Sequence, residues 1–103
     1  PLLSILIPLY NEEEFVGHLL DRVLNAPYPP GVDIEIVIVD DCSRDSSVEI
    51  VRGVAARNPG KIRLLQHEKN QGKGGAIHTA IAAATGDFCL IQDADLEYDP
   101  KDY

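Results

Sequence analysis

Acidic residues follow an apolar run near the end of the chain, at a spacing that suits a divalent cation. Asp93 and Asp95 are separated by Ala94 and come directly after the run from Phe88 to Ile91. Two carboxylates at positions i and i+2 after a strand can converge on one hard cation such as Mg²⁺ or Mn²⁺. Such a cation can bridge a diphosphate and stabilise the charge that grows on it as a bond to it breaks. This spacing predicts a metal-assisted diphosphate site.

Further polar residues follow the other apolar runs. Asp40 and Asp41 can accept hydrogen bonds from a base N–H or from ribose hydroxyls. Gly72 and Lys73 open a helix, where exposed N–H groups and an ammonium suit an anion. Tyr10 can stack on a nucleobase or simply cover the end of its strand. Together these residue types suit a nucleotide.

Two familiar motifs do not fit these residues. A P-loop needs a glycine five residues before Gly72 and a Ser or Thr after Lys73, and this chain has neither. The alternating acids from Asp93 to Asp99 have the spacing of a calcium loop, but Tyr98 stands where that loop needs a glycine. We therefore expect neither a P-loop nor a calcium-binding loop.

Four apolar runs alternate with three helical patterns along the chain. The runs are Ser4 to Leu9, Ile34 to Val39, Ile62 to Leu65 and Phe88 to Ile91. The helical patterns extend from Phe15 to Leu24, from Val48 to Ala55 and from Ala76 to Ala84. Asn11 with Glu14 is predicted to cap the first helix, and Asp45 or Ser46 the second. This alternation predicts a parallel α/β sheet, and ligands bind at the carboxyl ends of the strands in such sheets.

The composition limits the partners and the location. The chain has 103 residues and a net charge of −8, which disfavours nucleic acid and anionic lipid as partners. No apolar run approaches the roughly 20 residues that span a bilayer. Asp99 and Pro100 are typical of a helix start, yet only three residues follow them, so we expect one domain that is truncated at its C-terminal end. A truncated domain would leave an edge strand of the sheet unpaired, and the free N–H and C=O groups of that strand predict self-association.

Four segments together resemble family 2 glycosyltransferases, and most closely the bacterial relatives of dolichol-phosphate mannose synthase. They occur in order along the whole chain, at the spacing of that family. The segments are Pro8-Leu9-Tyr10-Asn11-Glu12, Val39-Asp40-Asp41-Cys42-Ser43-Arg44-Asp45, Asn70-Gln71-Gly72-Lys73-Gly74 and Asp93-Ala94-Asp95-Leu96-Glu97-Tyr98-Asp99-Pro100.

The resemblance implies a fold and a set of site residues. The fold is a Rossmann-like three-layer parallel sheet with strand order 3-2-1-4, and residues 1–103 would be the nucleotide-sugar-binding half of a GT-A domain. A divalent metal, Mg²⁺ or Mn²⁺, would be the cofactor, and its expected ligands are Asp93, Asp95 and Glu97. The expected nucleotide-sugar-binding residues are Pro8, Leu9, Tyr10, Glu12, Asp40, Asp41, Gly72, Lys73, Asp93 and Ala94.

The resemblance also implies a reaction. A sugar would move from a nucleoside diphosphate, UDP or GDP, with inversion at its anomeric carbon. The expected acceptor is a polyprenyl phosphate or another glycan, and the location is the cytoplasm or the cytoplasmic face of a membrane. The catalytic base is unknown and would lie beyond Tyr103, so we expect the chain by itself to bind nucleotide without turnover.

Three other functions fit part of the sequence. A phospho-receiver domain would use Asp40, Asp41 and Asp93, but the chain lacks the lysine that must follow a still later strand. A sugar nucleotidyltransferase would need a glycine-rich loop where Tyr10 lies. A non-catalytic binding or interaction domain on the same fold remains an alternative. His67 has no evident partner in the sequence and is expected to have a surface or packing role.

Overall fold

Strands and helices alternate along residues 1–93, which are the residues that the computed structural model describes. In chain order the elements are β1 (Leu2–Leu9), α1 (Val16–Asn25), β2 (Asp33–Asp40), α2 (Ser47–Arg57), β3 (Ile62–Gln66), α3 (Gly72–Ala83) and β4 (Phe88–Ile91). The predicted alternation is correct, and β1, β2 and β3 extend one or two residues beyond the predicted runs.

The strands form one parallel sheet in the order β3-β2-β1-β4. β1 and β2 pair over their whole length, from Leu2 opposite Asp33 to Leu9 opposite Asp40. The predicted strand order is therefore confirmed. All four strands run in the same direction, so the segments that follow them emerge at one edge of the sheet.

The core lies on both faces of the sheet because successive strand residues point to opposite sides. On one face, residues such as Ile5, Ile7 and Ile36 are buried against α1 and α2. On the other face, Leu6 and Val37 pack against α3. The α3 contacts are small residues, Ala76 and Ala80, and both are fully buried. These two cores produce the predicted three layers.

The predicted cap of the first helix is wrong. α1 begins at Val16, and Asn11 lies five residues earlier with a φ of 50°. The carbonyl of Glu12 accepts the N–H groups of Phe15 and Val16, so the main chain closes this turn. Phe15, the first residue of the predicted helical pattern, is also 39% exposed and is not part of the buried face of α1.

The predicted cap of the second helix is correct for one of its two candidates. The Oδ1 atom of Asp45 accepts the N–H of Ser47, the first residue of α2, at 2.9 Å. Ser46 makes no side-chain cap. On α3, Ile81 is 52% exposed, because the contacts with the sheet run through Ala76 and Ala80.

Some predictions concern residues that the structure does not describe. The helix start at Asp99 and Pro100 lies outside residues 1–93, as do Ala94, Asp95 and Glu97. Within the described part of the chain, no helix has the length and apolar character needed to cross a bilayer.

Candidate functional site

A cavity of about 340 Å³ opens at the carboxyl edge of the sheet. Residues that follow all four strands contribute to its wall, as the sequence predicts for an open α/β sheet. Its lining residues are Pro8, Leu9, Tyr10, Glu12, Asp41, Asn70, Gly72, Lys73, Ala76 and Asp93.

The structure brings most of the predicted binding residues to this cavity. Eight of the ten line it, and Asp40 and Ala94 are the exceptions. Ala94 lies outside the described residues, together with the predicted metal ligands Asp95 and Glu97. Asn70 also lines the cavity, although it is not among the predicted site residues.

Asp40 lies away from the cavity although it is adjacent to Asp41. Consecutive residues of an extended strand point to opposite faces, so only one of the two carboxylates faces the cavity. Asp40 is 2% exposed. Its two carboxylate oxygens lie 3.3 and 3.2 Å from the N–H of Ser43, from which they accept a hydrogen bond. Asp40 therefore holds the turn after β2, and the structure does not bring it to the predicted binding surface.

The side chain of Asp41, in the cavity wall, accepts three hydrogen bonds. Its Oδ1 accepts the N–H of Gln71 at 2.8 Å and the Nδ1–H of His67 at 2.9 Å, and its Oδ2 accepts the N–H of Gly72 at 2.8 Å. Burial by itself would raise the pKa of Asp41, but these hydrogen bonds together outweigh burial and lower its pKa below the ordinary value. Asp41 is thus an ionised acceptor.

The loop before α3 wraps around the end of β2. Gly72 has a φ of 82°, which an L side chain rarely adopts, and this conformation turns its N–H toward Asp41. The Asn70 side chain donates to the main-chain carbonyl of Asp41 at 3.2 Å and accepts from the Gly72 N–H at 3.0 Å. The position of this loop is therefore set largely by Asp41.

The loops after β1 and β2 are joined by reciprocal hydrogen bonds. The N–H of Asn11 donates to the hydroxyl of Ser43 at 2.9 Å, and the Asn11 side chain accepts the N–H of Arg44 at 2.8 Å. The N–H of Glu12 donates to the hydroxyl of Ser47 at 2.8 Å. Asn11 and Ser47 thereby fix the loop on which Glu12 and Tyr10 reach the cavity, and Tyr10 remains 45% exposed there.

Lys73 and Asp93 both line the cavity and form an ion pair. Asp93 offers the carboxylate oxygens that hard cations prefer, so its chemistry suits a metal ligand. In residues 1–93 there is no cluster of three or more His, Cys, Asp or Glu side chains that could hold a metal ion. A complete ligand set would therefore need residues beyond Asp93.

His67 has partners on both sides of its ring, which the sequence did not suggest. Its Nδ1 lies 2.9 Å from Asp41 Oδ1, and its Nε2 lies 2.8 Å from the Thr79 hydroxyl on α3. The side chains of His67 and Asp41 are 8% and 4% exposed. No spacing in the sequence links these three residues, because the contact depends on how β3 and α3 pack.

The chain is similar in sequence to known glycosyltransferases over nearly its whole length. Residues 4–103 match the family model described as "Glycosyl transferase family 2". A dolichyl-phosphate beta-glucosyltransferase from Dictyostelium discoideum is 36% identical, over 98% of this chain and 33% of its own length. An undecaprenyl-phosphate 4-deoxy-4-formamido-L-arabinose transferase from Aeromonas hydrophila is 36% identical, over 98% of this chain and 31% of its own length. The chain thus spans about a third of these curated relatives.

Solved structures of similar sequence have the same fold. The Pyrobaculum calidifontis mannosyltransferase PcManGT, solved with GDP-Man and Mn²⁺, is 33% identical with a TM-score of 0.82, over 90% of this chain and 27% of that chain. S. aureus TarS 1-349, solved with UDP, is 33% identical with a TM-score of 0.81, over 92% of this chain and 28% of that chain. The observed strand order also differs from the 2-1-3-4-5 order of phospho-receiver folds.

Proposed function

Because the chain belongs to glycosyl transferase family 2, we propose that it binds the nucleotide-sugar donor of a glycosyltransferase. The observation that carries this proposal is the cavity at the carboxyl edge, where Asp41, the α3 start and Asp93 converge. In the proposed reaction a sugar leaves its nucleoside diphosphate with inversion. Residues 1–103 would be the N-terminal nucleotide-sugar-binding part of a longer domain, in keeping with their coverage of about a third of the relatives.

Tyr10 and Asp41 are the groups we assign to the nucleoside. Tyr10 is half-exposed at the cavity, and stacking of a base on an aromatic ring contributes about 1–3 kcal/mol. A carboxylate has about four lone-pair sites, and protein donors fill three of those on Asp41. The remaining site on Oδ2 would accept one hydrogen bond from a base N–H or a ribose hydroxyl.

Lys73 and the first N–H groups of α3 are assigned to the diphosphate. The chain has a net charge of −8, so an approaching diphosphate meets a repulsive surface nearly everywhere. Lys73 supplies a positive charge at the cavity, and a helix N-terminus adds a favourable partial charge. Binding would place the diphosphate within reach of the Lys73 ammonium, which is now paired with Asp93.

A divalent cation is the proposed cofactor, with Asp93, Asp95 and Glu97 as its ligands. Asp93 lies at the cavity and has suitable chemistry, and the similar enzyme PcManGT was solved with Mn²⁺. When bound, the cation would neutralise charge that develops on the departing diphosphate. Lys73 would then be released from Asp93 to contact the phosphate oxygens.

The proposed acceptor is a polyprenyl phosphate or another glycan, and the proposed location is the cytoplasm or the cytoplasmic face of a membrane. Two of the relatives are named for dolichyl-phosphate and undecaprenyl-phosphate acceptors, which supports the first of these acceptors.

We also propose that the chain by itself associates with a second copy along β4. Phe88 and Leu90 on that strand are 65% and 50% exposed, and among residues 1–93 only β1 pairs with β4. Sedimentation analysis would detect such a dimer.

Calorimetric titration of UDP and GDP, with and without Mn²⁺, tests the proposed function. We expect one of the two nucleotides to bind in a metal-dependent way, and Asp95→Ala to abolish the effect of the metal. Asp33→Asn is the matched control, because Asp33 is an exposed carboxylate at the amino end of β2, and the cavity lies at the carboxyl ends of the strands. If neither nucleotide binds to protein that circular dichroism shows to be folded, the proposal fails for this chain.

A further inference from the structure

His67 lies at the junction of three segments that the cavity depends on. It follows β3 directly, and its N–H donates to the carbonyl of Asp40 at 2.9 Å, so the main chain fixes the position of the residue. Its ring lies between Asp41 and Thr79, and the side chain is 8% exposed. The ring is not part of the cavity wall. Any effect of His67 on a ligand must therefore pass through Asp41 or α3.

The hydrogen-bond pattern shows that one of the two ring nitrogens, Nδ1, carries a hydrogen. Asp41 is an ionised acceptor that also takes the N–H of Gln71, so it can only accept from the ring. Nδ1 of His67 therefore carries a hydrogen and donates it to Asp41 Oδ1. On the other side, Nε2 meets the Thr79 hydroxyl, which also lies 3.0 Å from the carbonyl of Gly75.

The donor from His67 decides how the Asp41 carboxylate is oriented. The N–H groups of Gln71 and Gly72 contact different oxygens of the carboxylate, and His67 supplies the second hydrogen bond on Oδ1. With Oδ1 fully engaged, the unused acceptor site belongs to Oδ2. Without His67, one further acceptor site on Oδ1 is left in a nearly buried position, where losing a partner is costly.

We infer that His67 is a positioning residue, which holds the Asp41 carboxylate and the start of α3 in the geometry that receives the nucleotide. The inference rests on the proposed function for its effect on binding. The structural role of His67, which is to position Asp41 and the amides of Gln71 and Gly72, is independent of the proposed function.

Two amide variants separate the two contacts of the ring. In His67→Asn the side-chain amide nitrogen lies where Nδ1 was, so the donor to Asp41 is kept and the contact with Thr79 is lost. In His67→Gln the amide reaches toward Thr79 and the donor to Asp41 is lost. We expect His67→Gln to weaken nucleotide binding about tenfold or more, and His67→Asn to weaken it less than about threefold. His78→Gln is the control, because His78 is an exposed residue of α3.

Amide hydrogen exchange is the second measurement, and it needs no nucleotide. The amides of Gln71 and Gly72 should exchange about tenfold faster in His67→Gln than in wild type, and at nearly the wild-type rate in His67→Asn. Equal exchange in the two variants would overturn the inference. A loss of binding in His67→Gln without faster exchange would also overturn it. If the wild type binds no nucleotide, the proposed function fails, and the exchange comparison still decides whether His67 positions Asp41.

Discussion

Two buried carboxylates near opposite ends of β2 perform different tasks. Glu35 lies near the amino end, and Asp41 follows the carboxyl end. Both connect β2 to α3, since Asp41 accepts N–H groups at the start of α3 and Glu35 accepts the N–H of Thr85 shortly after its end. In each case burial would raise the pKa of the carboxyl, and hydrogen bonds outweigh burial and lower it.

The difference lies in the number of protein donors to each carboxylate and in whether the carboxylate lines the cavity. Glu35 has four donor contacts, from the hydroxyl of Ser4, the N–H and hydroxyl of Thr85, and the guanidinium of Arg63 at 3.5 Å. Asp41 has three and lines the cavity. Glu35 is not part of the cavity wall, and its donors tie β2 to Ser4 and Thr85, so it stabilises the fold. Asp41 has an acceptor site left over at the cavity and is equipped to bind a ligand.

Asp41→Asn should have the largest effect, on both stability and binding. An amide NH₂ in place of a carboxylate oxygen would face main-chain N–H groups, which can only donate. We expect a loss of about 3 kcal/mol in the free energy of unfolding and at least a tenfold loss of nucleotide affinity. Chemical denaturation and calorimetry measure the two quantities. Stability close to that of Asp33→Asn would contradict the hydrogen-bond arrangement described for Asp41.

Glu35→Gln should reduce stability and leave nucleotide affinity within about twofold of wild type. The expected loss in the free energy of unfolding is about 2 kcal/mol. It is smaller than for Asp41 because the hydroxyls of Ser4 and Thr85 can rotate to donate or accept. A large loss of nucleotide affinity in folded Glu35→Gln would show that the two ends of β2 are not functionally separate.

The pH dependence of stability gives Glu35→Gln a second readout. The folded-state pKa values of Glu35 and Asp41 lie below their ordinary values of 4.5 and 3.8, so the unfolded chain binds protons more readily. Their contribution is fully present above the ordinary values and is lost as the pH falls through the lower folded-state values. Glu35→Gln should therefore show a shallower decline of unfolding free energy on acidification than wild type. An identical decline would mean that Glu35 does not contribute to acid sensitivity.

Sequence patterns predicted the elements and the edge where the site lies, because these depend on periodicity and on the geometry of parallel strands. The strand order was predicted by the resemblance to family 2 glycosyltransferases. They did not predict contacts between side chains that are distant in sequence. His67 was expected to have a surface or packing role because nothing near it in the chain suggests Asp41 or Thr79 as partners. Asn11 was expected to cap α1 on the basis of local spacing, but its side chain instead accepts the N–H of Arg44.

Glu35 shows a signal that sequence reasoning can use. It alternates with Val37 and Val39, which are fully buried against α3, so the strand period places a carboxylate on a buried face. A charge in that position requires partners. Asp40 and Asp41 illustrate the same rule, because the strand period allows only one of two adjacent acids to face the cavity. Which of the two does so depends on the strand register.

The smallest change in stability is expected for Gly72→Ala, at the start of α3. This variant changes the backbone conformation without adding a side-chain contact. Gly72 has a φ of 82° and its added Cβ would meet no atom within 4 Å, so Gly72→Ala tests conformation alone. We expect a loss of about 1 kcal/mol in the free energy of unfolding and weaker nucleotide binding, because the Gly72 N–H would turn away from Asp41. Gly74→Ala is the matched control, since Gly74 has no positive φ and an equally open Cβ position on α3. That variant should be neutral or stabilising by up to about 1 kcal/mol. Denaturation curves that move the same way for both variants would mean that the left-handed conformation at Gly72 does not hold the loop against Asp41.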